Sequence, residues 1–189
     1  MIAALQGLGY EDSTPLGFES RATLPEGPAL AGLNAELAEV LVADASLDEQ
    51  RPPHRDAKHD EEHALAEDIQ RLEFKVNVLI QLVARLLKRD DGVPPVRHWR
   101  LHAEGVEWLV KDDAPAPGLG LVSLYVSRNF PQPLVLPGRM LGTRDDAYGR
   151  WAQFRFEGLT PAAAELLDKL IFRHHRRAVA GTRGQNPRS

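Results

Sequence analysis

Two groupings of residues in this chain have types and spacings that could carry chemistry. His59-Asp60-Glu61-Glu62-His63 spells H-x-x-E-H, in which two histidines one helical turn apart can share a zinc ion while a glutamate serves as base. Here it opens a highly charged stretch with no apolar pocket expected nearby and no obvious third ligand. The better reading is a solvated helix face, and no metal is expected. Arginines four apart occur at Arg51/Arg55, Arg85/Arg89 and Arg173/Arg177. A planar guanidinium can grip a phosphate through two parallel hydrogen bonds or stack on a base, so each pair is a candidate anion clamp. With 23 Lys and Arg in 189 residues, such spacings arise readily by chance.

Other chemistries lack their parts. The absence of cysteine excludes disulfides, thiolate metal sites and a cysteine nucleophile. No serine sits in a nucleophile elbow, and Gly118-Leu119-Gly120 is too short for a dinucleotide fingerprint and precedes a strand instead of a helix. The chain is therefore expected not to be an enzyme and to need no cofactor. Basic residues cluster at Arg173, His174, His175, Arg176 and Arg177, but acids outnumber bases over the whole chain and no aromatics interleave there, so no nucleic-acid partner is expected. The net charge of −4 conceals a polarity: residues 1–50 carry nine acids against one base, Arg21, whereas residues 173–189 carry five arginines and no acid. No run of eighteen apolar residues occurs, and Met1 to Tyr10 contains no Lys or Arg. Neither a membrane span nor a secretory leader is expected, and the cytoplasm is the expected compartment.

Whatever these residues do, the elements that must position them are dominated by one seam. Leu65, Ile69, Leu72, Val76, Leu79, Val83 and Leu86 are separated by alternating steps of four and three. A mean spacing of 3.5 marks a helix that supercoils against a partner, with Ile69, Val76 and Val83 at a and the leucines at d. Ile80, Leu82 and Leu87 widen the apolar face towards its C-terminal end beyond what one partner helix covers, so a tetramer is expected in preference to a dimer. An amphipathic helix inside one monomer core would show similar spacings.

Four regions follow. Residues 1–55 form an acidic segment with one helix, Ala29 to Asp48, whose start Asn34 could cap or which could begin earlier; Met1 to Pro28 reads as loop or partly ordered chain. Residues 56–91 form the long heptad helix, free of Gly and Pro until Asp91. Residues 92–178 switch to period two, with strands expected at Val96–His102, Val106–Val110, Leu119–Ser127, Leu134–Leu141 and Trp151–Phe156. Thr160-Pro161 then caps a helix whose apolar face is Ala164, Leu167, Leu170 and Ile171. Residues 179–189 read as a basic, disordered tail. The fold class is α+β: a small antiparallel barrel with a C-terminal helix, preceded by the heptad helix and a shorter one. Trp99, Trp108, Trp151, Phe130, Phe154 and Phe156 are expected to fill the barrel core or its contact with the long helix.

The order of features in residues 96–178 resembles a PilZ domain, a bacterial β-barrel module that binds cyclic di-GMP. The resemblance is carried by His102-Ala103-Glu104-Gly105-Val106, by Gly118 to Val126, by Pro133 to Met140, and by Phe154-Arg155-Phe156-Glu157-Gly158-Leu159-Thr160. It implies a ligand site made of an Arg-x-x-x-Arg arm ahead of the barrel and an Asp/Asn-x-Ser-x-x-Gly turn. Here the turn reads Arg100-Leu101-His102-Ala103-Glu104-Gly105, in which only Gly105 agrees, and Arg85 and Arg89 sit within the long helix. The expectation is an oligomeric adaptor in motility, pilus or virulence signalling that holds an unidentified protein partner and does not bind cyclic di-GMP. The alternative is a receptor that reads the nucleotide through Arg85, Arg89 and Arg97, with Arg100, His102 and Gly105 beside them.

Overall fold

The computed structural model describes residue 5, residues 7–49, the helical positions Leu72, Val76, Leu79 and Val83, and residues 93–111, 113–126 and 132–183. The chain divides into two compact units, one of residues 1–42 with 94–189 and one of residues 43–93.

The first unit is built on six strands: β1 (Gly9–Ser20), β2 (Val96–His102), β3 (Gly105–Val110), β4 (Gly118–Leu124), β5 (Leu134–Asp146) and β6 (Gly149–Phe156). They close into a barrel in the order β1-β2-β3-β6-β5-β4, each neighbour antiparallel to the next. Closure leaves no unpaired edge. Two helices accompany it, α1 (Gly27–Glu49) and α2 (Pro161–Arg183). No described helix is long and apolar enough to cross a membrane.

The strand at residues 9–20 corrects the reading of Met1 to Pro28 as loop, and moves the barrel's first element well ahead of residue 92. Gly9 to Pro15 pair with β2, and Leu16 to Ser20 pair with β4, so this one strand joins the two ends of the sheet. The handover falls at Pro15, which has no N–H to give either ladder. Its carbonyl accepts from Tyr125 N at 3.1 Å, and Leu16 N donates to Pro95 O at 3.1 Å. Tyr10, Thr14, Leu16 and Phe18 alternate inward, but Gly9, Asp12, Pro15 and Gly17 dilute the pattern.

The core is aromatic. Trp99, Trp108 and Phe154 are fully enclosed with Leu101, Val106, Leu124 and Leu136. The Thr14 hydroxyl accepts from the Trp99 indole N–H at 2.9 Å and donates to the Tyr125 carbonyl, so a buried indole and a buried hydroxyl satisfy each other. Phe156 is partly buried and meets Phe154 edge to face, at 6.2 Å between centroids. Phe130 lies outside the described residues.

α2 starts as expected: Thr160 Oγ1 accepts from Ala163 N at 3.3 Å with Pro161 in the first turn. It buries Ala163, Leu167, Leu170 and Ile171, so Ala163 takes the place assigned to Ala164. It also runs to Arg183, past the tail boundary expected at residue 178; one interior glycine, Gly181, costs only about 1 kcal/mol and does not stop it. α1 begins at Gly27, whose φ is +52°, so Asn34 is not its cap. Asn34 is a buried mid-helix clamp instead. Its amide donates to Leu30 O and Gly158 O, each at 3.0 Å, and its carbonyl accepts from Thr160 N at 2.8 Å, which ties α1 to the link between β6 and α2.

In the second unit, four seam positions are described: Leu72, Val76, Leu79 and Val83, all helical and all exposed. Leu65, Ile69, Ile80, Leu82, Leu86 and Leu87 lie outside the described residues.

Candidate functional site

The turn singled out by the sequence joins β2 to β3, and what surrounds it is a charged cluster on the outer face of the barrel. Cross-strand partners share a face. Register places Glu11, Arg100, Glu107 and Gln153 in one row across β1, β2, β3 and β6, on the opposite side from Trp99, Leu101, Val106 and Phe154.

β5 joins this row only because of a bulge. Met140 pairs with Phe154 and points inward, but Gly142 pairs with Gln153, leaving Leu141 as an extra residue. One extra residue inverts the parity of everything after it. Arg144, opposite Trp151, and Asp146, opposite Gly149, thereby land on the outer face beside Glu107. Gly142 holds φ +128°, a conformation that L side chains rarely adopt.

The carboxylate of Glu107, only 2 % exposed, receives Arg144 through two bonds, Nη2 at 2.7 Å and Nε at 3.1 Å, and Gln153 Nε2 at 3.0 Å. Arg100 lies 3.5 Å from the same carboxylate, donates to Asp146 at 3.0 Å and to Glu11 at 2.7 Å, and places its guanidinium 3.9 Å from the centre of the Trp151 ring. Stacking on the indole covers one face of that cation. Asp146 also accepts from the Trp151 indole at 2.9 Å and from Tyr148 N at 2.8 Å.

Desolvation works against the Asp146 charge, but the Tyr148 amide, the Trp151 indole and Arg100 outweigh it and hold the carboxyl down to about 2. Burial likewise opposes the Glu107 charge, and Arg144 and Gln153 overcome it, so Glu107 also sits below its ordinary value. Both folded values lie below the unfolded ones, so the stabilisation is complete above the ordinary carboxylate range and is lost as pH falls through the folded values. The melting temperature is therefore expected to fall from about pH 4 to about pH 2, and Asp146→Asn should shrink that dependence. An unchanged acid limb in the variant would show that Asp146 does not carry it.

Each position of the turn has a structural task in this arrangement. Arg100 is engaged by three carboxylates and an indole. His102 packs its imidazole over Gly9, where a Cβ would come within 2.7 Å of the ring. Burial lowers its pKa, Glu107 raises it in partial compensation, and the neighbouring Arg100 and Arg144 lower it further, so the ring favours its neutral form. Gly105 lets β3 approach β6: a Cβ there would stand 2.2 Å from Phe154 O.

Arg97 does not join this cluster. It pairs with Asp113 at 2.5 Å, at the start of β2. Arg85, Arg89, Arg51 and Arg55 lie outside the described residues, as do His59 and His63; among the described residues no three His, Asp or Glu side chains are placed to hold a metal. Arg173 and Arg177 are on α2, following the barrel and not ahead of it. The sequence reading missed Arg144, Asp146 and Trp151 as companions of Arg100. The available signal was Glu107, a carboxylate between Val106 and Trp108 in an otherwise apolar strand.

A closed antiparallel barrel with a C-terminal helix thus displays a compact charged face on its outside. The chain belongs to the atypical PilZ domain family: the family profile, described as an atypical PilZ domain and cyclic di-GMP receptor, matches residues 41–184. β1 lies ahead of that match, so the strand that closes the barrel is outside the matched segment. The fold is similar to the crystal structure of a pathogenic protein from Xanthomonas campestris, described as a new tetrameric PilZ domain self-assembled via an unusual helical bundle. Identity is 25 %, coverage 92 % of this chain and 91 % of that one, and the TM-score 0.68. No curated protein matches the chain significantly.

Proposed function

We propose that this protein is a non-enzymatic, oligomeric adaptor of bacterial signalling, in which the heptad helix holds four copies together and each barrel presents a surface to a protein partner. The observation that carries the assembly is the exposure of Leu72, Val76, Leu79 and Val83, at 63, 46, 59 and 55 %. Steps of four, three and four put them on one stripe, and an apolar stripe left in water calls for a partner. The Xanthomonas relative, tetrameric through a helical bundle, supports the same use of this helix. Four linked barrels would bind a multivalent partner more tightly without any better single contact. Motility, pilus function or virulence signalling is the process the family suggests.

The turn supports an adaptor that has given up the nucleotide. An incoming phosphate would have to displace carboxylates already bonded to Arg100, and leaving those carboxylates without their cation costs about 1–3 kcal/mol for each lost partner. The competing reading is a cyclic di-GMP receptor, favoured by the family description and using Arg85, Arg89 and Arg97. Calorimetric titration of cyclic di-GMP into the full-length chain decides between them. No saturable heat and an unshifted melting temperature are expected; saturable micromolar binding would give the receptor reading the lead.

A further inference from the structure

We infer that the outer face of β5 and β6, at Arg139 and Arg155, is a docking surface for an acidic segment of a partner protein. Its role rests on the adaptor reading, in which each barrel holds such a partner. Arg139 and Arg155 are direct cross-strand partners, on the side opposite Met140 and Phe154. Both are exposed. Partners in an antiparallel ladder hold their Cβ atoms about 5 Å apart, and like charges placed so destabilise a sheet. Arg139 donates to Glu157 Oε1 at 3.0 Å, which offsets its charge. Beyond Leu119, the other neighbour of Arg139, Arg21 is offset in the same way by Glu19 at 2.8 Å. Arg155 has no ion pair among the described residues. Glu104 approaches it through the backbone, where the Glu104 carbonyl accepts from Phe156 N at 2.9 Å. One positive charge is left over, and it faces another arginine.

A rule of sheet stability broken at an exposed pair points to a use outside the fold. A carboxylate set between the two guanidiniums would remove the repulsion and take paired hydrogen bonds from their planar forks. The composition of the surface favours a protein over a nucleotide or a membrane. Bases need aromatic side chains to stack on, and a bilayer needs an apolar side chain to receive. Along the row Leu119, Arg139, Arg155 and Gly105 there is no aromatic residue, and the large apolar side chains described as exposed all lie off it. Tyr148 is at the far end of the β5–β6 hairpin, beside the pairing of Asp146 with Gly149. The chain as a whole carries −4, so attraction to an acidic partner is confined to a local patch of this kind and is short-ranged.

The test is fluorescence anisotropy of a labelled glutamate-rich peptide, and of its glutamine counterpart, titrated with the full-length protein at low and high salt. The glutamate peptide should bind at least about tenfold more tightly and weaken as salt rises. Arg155→Gln should weaken it about fivefold to tenfold, and Arg155→Lys, which keeps the charge but not the fork, should recover part of the loss. Stability should move the other way. Arg155→Gln removes the repulsion with Arg139, so its melting temperature should rise by about 1–3 °C. Equal binding of both peptides, or binding indifferent to Arg155, would overturn the proposal. So would an Arg155→Gln variant that melts below the wild type, since the arginine would then serve the fold. Failure to bind the peptide alongside saturable binding of cyclic di-GMP would remove the adaptor reading as well; failure to bind either would remove this surface alone.

Discussion

Leu72→Asp combined with Leu79→Asp is expected to yield single chains of 21.0 kDa where the proposed assembly is lost, while the barrel keeps its melting behaviour. The reasoning rests on where these side chains stand in one chain. Both are more than half exposed, so an aspartate costs a single copy little. Within a helical bundle the same positions are d residues facing the seam. Burying a leucine there is worth about 1.5–3 kcal/mol. Placing an unpaired carboxylate in the seam adds a desolvation penalty on top. Two sites per chain therefore remove at least about 3–6 kcal/mol, or a factor of about 10² to 10⁴ in the dissociation constant for each helix. Light scattering reads the outcome directly. An unchanged mass in the double variant would place the assembly contact somewhere other than this stripe, and a wild-type mass near 21.0 kDa at every concentration would remove the oligomer altogether.

The second large effect is expected at Glu107→Ala. Its carboxylate accepts from Arg144 and Gln153 and lies 3.5 Å from the Arg100 guanidinium. Deleting one partner of a buried ion pair leaves the other desolvated and uncompensated, commonly at about 3–5 kcal/mol. Arg144 and Arg100 retain some access to solvent and Asp146 remains nearby, so a loss of about 2–3 kcal/mol is the expected value, about 4–12 °C in melting temperature for a chain of this size. Asp145→Ala is the comparison, because Asp145 and Arg150 form a pair that is 71 and 54 % exposed and should contribute under about 1 kcal/mol. Replacing Glu107 and Arg144 together by leucine should recover much of the loss, since neither charge is then left alone. If Glu107→Ala melted with the wild type, the cluster would be a set of solvated contacts and its claim on Arg100 would fail. The turn would then be open to a ligand.

Much of the barrel was legible because its strands obey local rules. Val96–His102 and the turn at Ala103-Glu104 stand where alternation and turn chemistry put them, and Thr160-Pro161 opens α2 because a hydroxyl acceptor and a proline suit the first turn of a helix. β1 was missed for a physical reason. Gly9, Pro15 and Gly17 read as breakers when judged on propensity alone, yet each occupies a place that the closed sheet provides: Gly9 under the His102 ring, Pro15 between two ladders, Gly17 facing Pro94 at 3.2 Å from where a Cβ would stand. Of the two starts open for α1 the earlier one holds, and Asn34, a cap residue by type, is an interior clamp because Gly158 and Thr160 come within its reach.

The sequence by itself determined the elements whose cause is local: an unbroken 3.5-residue seam, alternating strands and a capped last helix. Only the tertiary structure decided what the arginines do. Arg100 and Arg144 are 44 positions apart, and nothing in their local spacing relates them. They meet because β5 carries a single extra residue before Gly142, which turns Arg144 and Asp146 from the inner to the outer face of the barrel. Strand parity is set by ladder register, a property of pairs of segments, and no single segment encodes it. That one-residue shift puts Asp146 on the same face as Arg100 and engages the two.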